Sequence, residues 1–224
     1  IEETMQALND LVTSGKVRYI GFSDTPAWKV AQAQVMAAFR GWAPLIALQI
    51  EYSLIERTVE GEMMPMAQEL GLGVTPWSPL RGGVLTGKYT RENRDKIEPG
   101  RGDRVKDYLT ENTFGIIDEL SQIADAHETS PAAIALAWVQ GRAGVDSTII
   151  GARTVQQLES NLSALRVELE TDEIEALDEA SKPTLSFPIP FLEMAHNLMH
   201  AGATVDGVPS ESPVLLHKSD EERY

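Results

Sequence analysis

Apolar positions along the first 180 residues switch repeatedly between two spacings. Ile1, Met5, Leu8, Leu11 and Val12 recur at helical spacing, and Gly15 follows as a stop. A short apolar run at 17–22 then predicts a strand, and Thr25-Pro26 opens a helix to about Phe39, with proline at a tolerated first-turn position. The pattern repeats with a strand at 45–50, a helix at 62–70 closed by Gly71, and a strand at 72–74. A long loop from Arg81 to Lys106 leads to an amphipathic helix over 112–127, carried by Ile116, Ile117, Leu120, Ile123 and Ala124. Ser130-Pro131 caps a helix so apolar from Ala132 to Val139 that burial on all sides is expected. A fourth strand at 147–150, a helix at 154–165 and an acidic helix capped by Thr171 and ending near Ala180 complete the series. Beyond Lys182 the prolines, glycines and histidines predict an irregular tail, 183–224, separate from the body at 1–182.

Short apolar strands alternating with helices imply a parallel sheet with right-handed crossovers. Ser23, Gln49, Trp77 and Arg153 fall at or just past strand C-termini, where barrel enzymes of this class build their sites. Four strands are half of the eight that close a barrel, so the expected architecture is α/β, a half-barrel of four β/α units. Gln49, in an apolar run, is expected to be a buried amide that either bonds structurally or touches a ligand. The stretch from Gly71 to Tyr89 delivers Trp77 and Ser78 to a strand end. Pro79, Gly82, Gly83 and Gly87 then permit tight turning and close approach of backbone amides, beside the fixed charge of Lys88. That chemistry suits an anion such as a pyrophosphate; an ordinary glycine-rich loop is the plainer alternative.

Charge sharpens the picture. The chain carries a net charge of −15 in 224 residues, which excludes general nucleic-acid binding, whereas the loop from Arg81 to Lys106 holds eight Lys or Arg residues. That reversal of sign favours a flap over a polyanion rather than a merely solvated loop. Arg153 beside a helix start is electrostatically awkward unless an anion offsets the positive end of the helix dipole, although Thr154-x-x-Gln157 is also a self-sufficient capping box. Cysteine is absent, which removes disulfides, thiolate metal sites and cysteine nucleophiles. His196 and His200 are spaced to share a helix face, without a third ligand. No apolar run nears the roughly 20 residues of a membrane span and no signal peptide opens the chain, so a soluble cytoplasmic protein is the default; a start at Ile1 suggests residues upstream.

Four motifs in order resemble the aldo-keto reductase family. They are Ser-Gly-Lys-Val-Arg-Tyr-Ile-Gly-Phe-Ser-Asp at 14–24, Gln49, Trp77-Ser-Pro-Leu with Leu85-Thr-Gly-Lys-Tyr, and Ile-Gly-Ala-Arg-Thr-x-x-Gln-Leu-x-x-Asn at 150–161. The resemblance implies a TIM barrel of which this chain supplies the fifth to eighth β/α units. It implies that Ser23 and Gln49 hydrogen-bond a nicotinamide carboxamide while Trp77 stacks on the ring. Asp24 stands where the family usually has asparagine, and an ionised carboxylate cannot donate to that carboxamide. Ser78, Pro79, Leu80, Gly82 and Lys88 would lie along the pyrophosphate. Gly151, Arg153, Gln157, Ser160 and Asn161 would hold the adenosine end, with Ser160 replacing a frequent acidic residue and Arg153 suiting the 2′-phosphate of NADP(H).

The family's catalytic aspartate, tyrosine, lysine and histidine come from its second to fourth strands. None of Tyr19, Tyr52, Tyr89, Tyr108 or Tyr224 sits in the matching motif, so no catalytic residue is assigned. The expectation is therefore an NADP-dependent oxidoreductase of aldehyde or ketone carbonyls, present here as an inactive, cofactor-binding portion. A nucleotide-sensing regulatory subunit and a truncated fragment that does not fold alone are the alternatives. Bare sheet edges would favour self-association.

Overall fold

The computed structural model describes residues 1–94, 105–205 and 207–211. The chain divides into two compact units, Ile1–Pro183 and Thr184–Tyr224.

The first unit begins with helix α1 (Glu2–Thr13), which buries Met5, and continues through strand β1 (Ile20–Ser23) and helix α2 (Ala27–Arg40). Gly41 ends α2 in the left-handed conformation that a residue without Cβ adopts cheaply. Strand β2 (Leu45–Glu51), helix α3 (Met63–Glu69) and strand β3 (Gly73–Trp77) follow. The three strands form one parallel sheet in the order β1-β2-β3. Helix α4 (Glu111–Ala126) is capped by Thr110, and α5 (Pro131–Gln140) by Ser130 with proline in its first turn. Helix α6 (Val155–Leu162) and helix α7 (Thr171–Ala180) close the unit.

The register explains which side of the sheet is dry. Phe22, Leu48 and Val74 are paired neighbours on one face, joined by Ile50 and Pro76, and all but Phe22 are fully buried. With Met5, Val30, Ala33, Ile116, Leu120, Ile134 and Trp138 they make a single core between sheet and helices. On the other face the rows run Gly21–Ala47–Gly73, Ser23–Gln49–Thr75 and Glu51–Trp77. Among the described residues no position on that face is fully buried, and Gln49 is exposed there. The expectation of a buried Gln49 is thus corrected: its apolar neighbours alternate to the dry face while the amide points to the open one. Gly21 belongs to the same face, where an added Cβ would lie 2.7 Å from the carbonyl oxygen of Ala47.

Two expectations change in detail. The segment 147–150 does not form a fourth strand. It lies alongside β3 through a parallel bridge between Val74 and Val145 and an Ile149 N–H bond of 2.8 Å to the Pro76 carbonyl. The ladder runs from the Val74 N–H to the Gly144 carbonyl at 3.3 Å and from the Asp146 N–H to the Val74 carbonyl at 3.0 Å. It stops there because Pro76 has no N–H to donate next; the Asp146 carboxylate is a second acceptor for the Val74 N–H at 3.0 Å. The half-barrel of four strands is therefore three strands and a strand-like fourth segment. The cap of α7 is Glu170 rather than Thr171, in a capping box with Glu173. Glu173 also meets the ring of His127 at 2.8 Å.

The second unit is not wholly irregular. It contains helix α8 (Ile189–His200) and an antiparallel pair, β4 (Thr204–Val205) with β5 (Val208–Pro209). His196 and His200 do share a face of α8, with ring centroids 4.6 Å apart. Among the described residues no group of three metal-ligating side chains converges, and no helix is long and apolar enough to cross a membrane.

Candidate dinucleotide site

The C-terminal ends of the strands gather the first group of expected site residues. Ser23 and Gln49 are paired positions on the open face, and the backbone N–H of Asp24 donates to the Gln49 carbonyl at 3.0 Å. Asp24 adopts φ 46°, a left-handed conformation that aspartate tolerates better than most residues. Its carboxylate accepts from the Trp77 indole Nε1–H at 3.0 Å and from the Ser23 hydroxyl at 3.3 Å. Trp77 is half-buried. The Gln49 amide makes no hydrogen bond among the described residues.

After Trp77 the chain turns sharply. Ser78 and Arg81 have φ of 55° and 46°, and Gly82, Gly83 and Gly87 have φ of 63°, 92° and 76°. A run of left-handed residues bends the backbone into a short 3-10 segment, Arg81–Thr86, with Pro79 buried and Leu80 half-buried beneath it. Gly83 makes room for Lys88: a Cβ there would stand 2.8 Å from the Lys88 Nζ. Lys88 is exposed, lies 4.7 Å above the Tyr89 ring centroid and has no carboxylate partner among the described residues. The fastening of this loop is not legible as a motif. Arg81 pairs with Glu51 at the end of β2 and stacks on Tyr108, its guanidinium 4.1 Å from the ring centroid. The only available signal was that Glu51 follows Gln49 by two residues and so shares its face. Residues 95–104, the middle of the expected flap, lie outside the described residues.

The second expected segment runs beside the first. The bond from Ile149 to Pro76 aligns 149–153 with the end of β3, and Leu80 and Ile150 pack on the same small cluster of Ala133, Leu136 and Ala164. Thr154 caps α6 by accepting the Gln157 N–H at 3.2 Å, while the Gln157 side chain accepts the Arg153 N–H at 2.9 Å. Asn161 is buried and donates to the Gly151 carbonyl at 3.3 Å. Gln157 and Asn161 therefore brace the 151–153 turn with their side chains; Asn161 is buried, whereas Gly151, Arg153, Gln157 and Ser160 are exposed. The Arg153 guanidinium has no anionic partner among the described residues.

Comparison with known proteins identifies the family. The Aldo/keto reductase family model matches residues 1–182. A probable aryl-alcohol dehydrogenase of Saccharomyces cerevisiae is 34% identical over 194 residues, covering 86% of this chain and 59% of that protein. An uncharacterized oxidoreductase of Bacillus subtilis is 35% identical over 80% of this chain and 53% of its own. A norsolorinic acid reductase of Aspergillus flavus is 35% identical over 86% of this chain and 47% of its own. The chain thus spans about half of the length of the curated relatives it matches. With the family's match covering the whole first unit up to Lys182, this chain belongs to the aldo/keto reductase family.

Proposed function

We propose that the first unit is the NADP(H)-binding portion of an oxidoreductase that interconverts small carbonyl compounds and alcohols. The observation that carries this reading is the pair of cations, Lys88 and Arg153, that lack an anionic partner among the described residues and lie on two adjacent segments at one end of the sheet in a strongly acidic chain. The donor set fits a dinucleotide. Gly83 leaves a space that a Cβ would fill against the Lys88 ammonium, and the left-handed turn at 81–83 lets backbone approach a pyrophosphate. Arg153 at the start of α6 suits a 2′-phosphate, since a phosphate there meets both a guanidinium and the positive helix end. Gln49 and Ser23 offer a free amide and a hydroxyl toward a carboxamide, beside Trp77 as a stacking surface. The dinucleotide, when bound, supplies the hydride; these residues bind and orient it.

The relatives' names as dehydrogenases and reductases favour the same reaction class. No side chain of residues 1–224 is assigned as the proton donor, so this chain by itself binds the nucleotide without turning over a carbonyl. General acid catalysis contributes about 10² to 10⁴-fold in rate, and an open sheet face cannot position a substrate. The same open face and the free edges favour self-association.

The test is to incubate residues 1–224 with NADPH and a panel of aldehydes, and to follow tryptophan fluorescence in parallel. The expected result is no NADPH oxidation, with a quench on NADPH addition that Trp77→Phe removes. A quench unchanged in Trp77→Phe contradicts the nicotinamide assignment. Robust turnover by a monomeric sample contradicts the division of labour.

A further inference from the structure

Asp24 is held more firmly than a chance surface carboxylate. Its backbone N–H is bonded to Gln49 at 3.0 Å, and its carboxylate receives the Trp77 indole at 3.0 Å and the Ser23 hydroxyl at 3.3 Å. It has no cationic partner among the described residues, so the charge is not cancelled locally. A cleft of about 320 Å³ opens beside it, lined by Asp24, Thr25, Glu51, Glu56 and Met63 among others. Glu51 in that lining is neutralised by Arg81, whereas the Glu56 carboxylate, among the described residues, accepts only from the hydroxyl and N–H of Thr58. The end of β1 and β2 is thus negative, in contrast to the cationic segments at Lys88 and Arg153.

Two consequences follow from elementary chemistry. An indole N–H seeks an acceptor, and a charged acceptor gives the stronger bond, so the carboxylate fixes the rotation of the Trp77 ring. An uncancelled negative charge one hydrogen bond away from that ring also favours a cation stacked on it over a neutral ring. A nicotinamide ring is cationic when oxidised and neutral when reduced.

We propose that Asp24 is a positioning residue for the nicotinamide end of the site, orienting the Trp77 platform and tightening the oxidised nucleotide relative to the reduced one. The proposal rests on the dinucleotide reading above and adds to it a preference between redox states. An asparagine at this position would keep an acceptor for the indole and lose the charge, which separates the two roles.

The experiment titrates residues 1–224, Asp24→Asn and Asp24→Ala with NADP+ and NADPH separately by calorimetry. It also records the near-ultraviolet circular dichroism of the nucleotide-free proteins. In Asp24→Asn the ratio of the NADP+ to the NADPH dissociation constant rises about five- to tenfold, as expected for loss of a partly screened charge. The Trp77 band, defined as the signal that Trp77→Phe removes, is retained in Asp24→Asn and lost in Asp24→Ala. An unchanged ratio overturns the redox preference, and a band retained in Asp24→Ala overturns the positioning role. A wild-type chain that binds both nucleotides with no change of ratio in either variant defeats this proposal alone. A wild-type chain that binds neither defeats the dinucleotide reading and this proposal with it.

Discussion

Two polar clusters in the first unit use the same residue types to opposite ends. In one, Arg57, Glu60, Tyr52, Trp138, Arg142 and Asp178 satisfy one another. Arg57 is buried and donates to Glu60 at 2.8 and 3.0 Å, to the Asp178 carbonyl at 2.9 Å and to the Ser181 hydroxyl at 2.7 Å. The Tyr52 hydroxyl donates to Glu60 at 2.7 Å and the Trp138 indole to Asp178 at 3.0 Å. Arg57 and Arg142 also lie 5.0 and 4.8 Å from the centroid of the Trp138 ring. In the other, at the strand ends, Lys88, Arg153, Gln49 and Asp24 keep charge or hydrogen-bonding capacity in hand. Where every donor and acceptor is matched the cluster staples elements together; where they are left over, the cluster is fit to receive a ligand.

The largest effect should come from the stapled cluster. Arg57→Met strands Glu60 and the end of α7, and should lower stability by about 3–5 kcal/mol, read from the urea midpoint. A loss below about 1 kcal/mol would make this cluster a surface feature rather than a staple.

Tyr52→Phe should cost about 1–3 kcal/mol by removing one buried bond to Glu60. Burial first, and the Glu60 carboxylate second, push the Tyr52 hydroxyl well above its ordinary value of 10.0. The unfolded chain therefore loses this proton near pH 10 while the folded chain holds it. The contribution is fully present below that pH and is lost as pH rises above it. Urea midpoints measured between pH 8 and pH 11 should fall at the alkaline end in the wild type and fall less in Tyr52→Phe. Parallel curves would show that Tyr52 titrates as it does in the unfolded chain.

The smallest effect tests the other cluster. Gly83→Ala places a methyl at φ 92° and 2.8 Å from the movable end of Lys88. It should cost about 1 kcal/mol of stability through backbone strain and weaken NADPH by displacing the ammonium. Unchanged affinity would separate Lys88 from the anion.

Much of this was legible in the chain, for reasons that differ by residue. The starts of α5 and α6 were readable because Ser130 and Thr154 cap through their own side chains, which accept N–H groups three residues on. The segment at 147–150 is not a strand because its neighbour Pro76 has no N–H to carry the ladder past Val74, and the apolar content of 147–150 does not record a donor missing on another strand. Gln49 was placed in the core because periodicity cannot reveal that one face of the sheet is uncovered. The candidate residues at 77–88 and 151–161 stand out in the sequence only as motifs. The fastenings between them, Asp24 to Trp77 and Arg81 to Glu51, join residues from different strands and follow only from register.

The central claim is that the leftover cations hold an adenosine 2′-phosphate and a pyrophosphate, and titration of Arg153→Ala against the wild type tests it most directly. NADPH and NADH are titrated into both proteins, with tryptophan fluorescence as the readout. Arg153→Ala should weaken NADPH by about 1.5–3 kcal/mol, the worth of a charged hydrogen bond, and leave NADH nearly unchanged. Equal losses for the two nucleotides would contradict the claim.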